Sequence, residues 1–113
     1  MSEEPVKAVH VGAGTHLLDV AKPGAFQFQK FDCSGVDDPA TIPPEDGIWL
    51  GFCCPRTGKP CGSILVGNGE KPADSPSWRW DGNIQSPTLT PSINCVGGCG
   101  WHGFLTAGEW QPC

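Results

Sequence analysis

The sequence predicts a mostly β fold: a small single domain with zinc-ribbon-like hairpins and an extended N-terminal arm. Three observations carry that expectation. The 113 residues hold 16 glycines and 12 prolines, a composition that breaks long helices and suits short strands joined by turns. Several short runs alternate apolar and polar residues, the signature of strands with one buried face. Seven cysteines are gathered mainly in two places, and a chain this small, which buries roughly two-thirds of its unfolded surface at best, gains from a metal or a cross-link.

The elements follow in order. Val6 to Val11 (VKAVHV) and Phe26 to Gln29 (FQFQ) each alternate and read as strands. Between them and the rest lies DCSGVDDPATIPPED, residues 32–46, acidic and proline-rich, which reads as a long ordered loop. Residues 1–46 therefore form the expected arm, and residues 47–113 the zinc-ribbon-like body. The body starts with Gly47 to Phe52 as a strand that runs into the turn CCPRTGKPCG, and Ser63 to Val66 returns as a second strand. Strand, cysteine turn, strand is the layout of a zinc-ribbon knuckle. In SWRWDGN the spacing puts Trp78 and Trp80 on one face, and Asp81 and Asn83 suit a tight turn around Gly82. SPTLTPSI is extended, because each proline disfavours helix at the residue before it. Trp101 to Leu105 and Glu109 to Gln111 form a hairpin across TAG. The tryptophans, Trp49, Trp78, Trp80, Trp101 and Trp110, supply much of the core in a domain with no tyrosine and one methionine.

Charge and length exclude several functions. The net charge is −5, from 12 acidic and 7 basic residues, and the bases are scattered, so no basic stripe follows a nucleic-acid backbone. No apolar run approaches the ~20 residues of a membrane span, and no signal-peptide pattern opens the chain. The expected compartment is the cytoplasm, where cysteines at this density point to metal binding and not to disulfides.

Two half-sites suit zinc as cofactor. Cys54 and Cys61 flank PRTGKP, with Cys53 as a competitor; Cys99 and His102 stand in C-x2-H spacing, with Cys95 as a competitor. Four such ligands can close a tetrahedral site, and the intervening glycines permit tight turns. Cys53 alternates away from Cys54 along the strand and is expected to pack inward as a thiol. Catalytic zinc would need an open position beside an acid or base, such as His10, His16 or Asp81, and neither H-E-x-x-H nor the deaminase pattern occurs. Nothing marks Cys33 or Cys113 as an activated nucleophile, and His10 and His16 read as ordinary surface or strand residues.

The order FxCP…CG, SWxWDGN, PTLTPSI and CxxH, most specific in WRWDGNIQSPTLTPSI and CGWHGFL, resembles an uncharacterised family of small Cys/His proteins encoded by bacteriophages and prophages. The resemblance covers residues 52–113 and assigns Cys54, Cys61, Cys99 and His102 as the ligand positions. Some relatives carry the label ammonia monooxygenase. That chemistry calls for histidine-rich copper sites in a membrane, and three histidines without a span do not meet it. The resemblance implies a non-enzymatic, zinc-stabilised phage protein, found in the host cytoplasm and then in the virion, with a larger phage structural protein as partner. The alternative is an intracellular zinc-ribbon adaptor that binds a host protein, and the third class is a zinc hydrolase. Homo-oligomerisation is compatible with each.

Overall fold

The computed structural model describes residues 4–43, 45–72, 76–94 and 100–112. The protein is mostly β, a single small domain, as its sequence predicts. Its strands are β1 (Val6–Lys7), β2 (Val9–His10), β3 (Ala25–Gln29), β4 (Ile48–Cys53), β5 (Pro60–Asn68), β6 (Trp78–Trp80), β7 (Leu89–Asn94), β8 (His102–Thr106) and β9 (Glu109–Pro112). Among the described residues, helix is confined to one turn, α1 (Leu17–Val20), and a 3₁₀ turn at Pro39–Thr41.

All nine strands join one sheet in the order β1-β9-β8-β7-β6-β5-β4-β3-β2. Pairing is antiparallel except for β2 with β3 and β5 with β6. The two edges belong to neighbouring strands in sequence, β1 and β2, separated by Ala8 alone, so the sheet curls until its ends almost meet. The seam is stitched by the Ala8 N–H donating to the Gly108 carbonyl (2.8 Å), the Val9 N–H to Gly24 (3.1 Å) and the Trp110 indole Nε1–H to Gly24 (2.9 Å). Such closure leaves little unpaired edge exposed. Gly24 must be glycine there: its φ is +83°, and a Cβ would lie 2.8 Å from the Lys7 carbonyl oxygen.

Inside the curl, Phe26, Phe28, Leu50, Phe52, Val66, Trp80, Leu89, Ile93, Trp101, Leu105 and Trp110 form one cluster. Phe52 stacks on Trp110 at 5.0 Å between ring centroids, and Trp101 meets Trp110 edge-on at 5.7 Å. Trp110 is fully buried, and truncating such a side chain to alanine costs about 3–5 kcal/mol. A smaller cluster of Val11, Leu17, Ala25 and Cys53 sits on the opposite side of β3 and β4, under α1. Cys53 and Cys54 thus belong to different clusters, the consequence of the strand's two-residue period. Gln27 and Gln29 are buried on that outer side, Gln27 donating to the Gly12 and Thr15 carbonyls and Gln29 accepting from Ser63.

The stretch expected as an N-terminal arm contributes three of the nine strands. β3 lies between β2 and β4, and all five of its residues are buried. The β4–β5 hairpin, expected as a zinc-ribbon knuckle, is likewise an integral part of the sheet.

Candidate active site

β7 reaches the site through a bulge. It pairs with β6 up to Thr90, and its pairing with β8 skips from Leu89↔Leu105 to Ile93↔Gly103. Three residues of β7 (90–92) therefore stand against one of β8 (104), which pushes the Thr90-Pro91-Ser92 segment out of the regular ladder. Pro91 suits the irregularity, since it has no N–H to donate to a ladder. Beyond the bulge the ladder resumes at Ile93↔Gly103 and Asn94↔His102, which sets Ser92 diagonally across from His102.

β8 supplies its partner. Trp101, Gly103 and Leu105 are buried, while His102, Phe104 and Thr106 face outward. The outward His102 brings its Nε2 to 3.0 Å from the Ser92 Oγ. Among the described residues this is the Ser–His hydrogen bond that the fold builds. The Ser92 backbone is anchored from the other flank, its carbonyl accepting from the Trp78 Nε1–H at 3.1 Å. Gly103 lets β8 sit close, because a Cβ there would meet the Gln111 carbonyl and lie 2.8 Å from the Trp101 ring.

The turn before β7 holds the bulge from below. The Asp81 Oδ1 accepts from the Asn83 N–H (3.0 Å) and the Thr88 N–H (3.2 Å), and the Trp80 indole donates to the Asn83 carbonyl (2.8 Å). The WDGN tetrapeptide is thus a self-bonded turn around Gly82, whose φ is +89°. The Thr88 hydroxyl oxygen in turn accepts from the Ala107 N–H (2.9 Å), tying this turn to the β8–β9 hairpin.

The residues expected to bind zinc are described only in part. Cys54 is buried, engaged in a disulfide and contacted through its sulfur by the Arg56 N–H at 3.4 Å; in that state it has no thiolate to offer a metal. Cys61 is half-buried on β5. His102 meets Ser92, and Cys99 and the competitor Cys95 lie outside the described residues. The other competitor, Cys53, is a buried free thiol whose pKa is raised by burial. Among the described residues, no group of three or more His, Cys, Asp or Glu could hold a metal ion.

The remaining polar candidates sit elsewhere. His10 packs against the rings of Phe26 and Phe28, its buried Nε2 lacks a hydrogen-bond partner among the described residues, and burial lowers its pKa, with Asp37 partly opposing. His16 lines a concavity of about 400 Å³ with Asp32, Cys33 and Ser34, where the Ser34 hydroxyl donates to Asp32 and lowers the pKa of that carboxyl. Cys33 is exposed, and Cys113 lies outside the described residues. Sequence reasoning missed Ser92 although it lies in the PSINCVGGCGWHGFL stretch that supplies Cys95, Cys99 and His102. The available signal was a proline inside a strand, one residue before a serine.

No curated protein and no solved structure matches the chain. A family model does, over residues 24–113: that of the bacterial ubiquitination-like system serine protease (BubE). This overturns the phage and prophage resemblance, and with it the virion structural component and the phage-encoded adaptor. The expected zinc-stabilised, non-enzymatic role is corrected as well, since the family is named for a protease and the described residues hold no metal-binding group. The error has a physical origin: a histidine three residues after a cysteine fits a zinc knuckle, whereas a histidine ten residues after a serine becomes a pair only through strand pairing. Because the match takes in 90 of the 113 residues, the chain belongs to the bacterial ubiquitination-like system serine protease (BubE) family.

Proposed function

We propose that this protein is a serine peptidase of a bacterial ubiquitination-like system, with Ser92 as nucleophile and His102 as general base. The observation that carries the reading is the 3.0 Å contact between the His102 Nε2 and the Ser92 Oγ, on the outward face of a chain from a serine protease family. A serine hydroxyl is a weak nucleophile until a base within hydrogen-bond reach takes its proton.

The steps follow from that geometry. Ser92 Oγ attacks the carbonyl carbon of the scissile bond while its proton passes to His102 Nε2. The tetrahedral intermediate collapses to an ester on Ser92, and the imidazolium returns the proton to the departing amine. Water, deprotonated by the same nitrogen, then attacks the ester, and the proton goes back to Ser92 as the acid product leaves. The rigid parts are the Trp78 bond to the Ser92 carbonyl and the close β8–β9 contact at Gly103, which hold nucleophile and base at fixed separation. The family's description, a serine protease of a ubiquitination-like system, supports a substrate from such a system, for which a ubiquitin-like protein with a C-terminal extension is the natural probe.

The test uses a ubiquitin-like protein of such a system carrying a C-terminal extension. The wild-type protein should release the extension, and Ser92→Ala and His102→Ala should each slow release by at least on the order of 10³-fold. Release that is undiminished in Ser92→Ala would refute the assignment.

A further inference from the structure

Next to the Ser92–His102 pair the outward face carries an uncommitted positive charge. Thr90 stands two residues before Ser92 and is paired directly with Arg79 of β6. Directly opposed residues of antiparallel strands project from the same side, and both are exposed. Together with Asp81 and Thr88 they line a concavity of about 230 Å³. Asp81 is occupied there, its Oδ1 accepting from two backbone amides of the turn. Among the described residues Arg79 forms no ion pair, although the chain as a whole is acidic, with a net charge of −5.

Two residues of fully extended strand span roughly 7 Å, so across the bulge Thr90 and Ser92 lie no farther apart than that along the chain. A polypeptide seated with its scissile carbonyl at Ser92 therefore brings a residue one or two positions away over Arg79. We propose that Arg79, with the Thr90 hydroxyl, forms an acid-selective subsite, so that the peptidase favours substrates with Asp or Glu within two residues of the bond it cuts. The inference rests on the peptidase reading and adds to it a substrate class. A guanidinium presents two parallel N–H groups to the two oxygens of one carboxylate, and the Thr90 hydroxyl supplies a further donor. The same cation disfavours lysine or arginine at that position, which turns attraction into selectivity.

The experiment has two readouts on the full chain. A proteome-derived peptide library, digested and read by mass spectrometry, gives the residues around each cut, and a fluorophosphonate reports whether Ser92 is reactive. Wild type should show acidic residues enriched within two positions of the cut, and matched peptides differing by Asp or Asn should differ by about 5-fold in kcat/KM, the scale of one exposed ion pair. Arg79→Gln should remove that preference while Ser92 is still phosphonylated, and Arg79→Glu should shift it toward lysine and arginine. Phosphonylation of Ser92 with no acidic bias, with a bias that survives Arg79→Gln, or with no library peptide cut, overturns the subsite and leaves the nucleophile standing. Absence of both cleavage and phosphonylation overturns the subsite and the peptidase reading together.

Discussion

Ser92 and His102 are chemically ordinary until the strands place them together. His102 is exposed and Ser92 half-buried, and truncating either to alanine leaves the buried core untouched. Ser92→Ala and His102→Ala should therefore keep thermal stability within about 1 kcal/mol of wild type while losing activity, a combination that calorimetry beside a cleavage assay can read. His10 behaves differently. Burial against Phe26 and Phe28 lowers its pKa from the usual 6.5 in the folded protein, with Asp37 partly opposing, whereas the unfolded chain takes up a proton at the ordinary value. Its contribution to stability is thus complete above the unfolded value and falls as pH drops through that value toward the lowered folded one. His10→Phe should flatten the decline in Tm between about pH 7.5 and pH 5.5, measured by thermal denaturation; an unchanged decline would remove His10 as its source.

At the scale of elements, much of the fold was legible. Alternation in FQFQ marked β3, GIWLGF marked β4, and the TAG turn joined β8 to β9. The opposite facing of Cys53 and Cys54 was legible too, because it follows from the two-residue period alone. The site was not, since it depends on which strands pair and in what register. Nothing local in PTLTPSI states that Ile93 and Asn94 will face Gly103 and His102, yet that register is what makes Ser92 a diagonal neighbour of His102. The cysteine spacing, by contrast, is local, and it drew the interpretation toward zinc. Gly103 gives the register its test. A methyl group there would meet the Gln111 carbonyl and the Trp101 ring, so Gly103→Ala should cost about 3 kcal/mol in denaturant unfolding and lower activity by shifting the neighbouring His102.

Across the whole molecule, the curled sheet couples the site to the first residues of the chain. β1 pairs with β9, β9 with β8, and β8 carries His102, while Gly24 receives the Trp110 indole that anchors this side of the core. A division into a docking arm of 46 residues and a self-sufficient body predicts that the body survives without the arm. The sheet order argues the opposite, because deletion of residues 1–46 removes β1 to β3 and takes Phe26 and Phe28 out of the main cluster. The shortened chain should lose cooperative unfolding and tryptophan burial, which near-ultraviolet circular dichroism and fluorescence would register; a folded, cooperative body would restore the two-part view.

The measurement that bears most directly on the central claim is site mapping of a fluorophosphonate adduct by tandem mass spectrometry. The folded protein should carry one adduct, on Ser92, which disappears after denaturation and in His102→Ala because an unpaired serine is not activated. An adduct on another residue, or an unreactive Ser92 in folded protein, would contradict the assignment of the Ser92–His102 pair as the catalytic machinery.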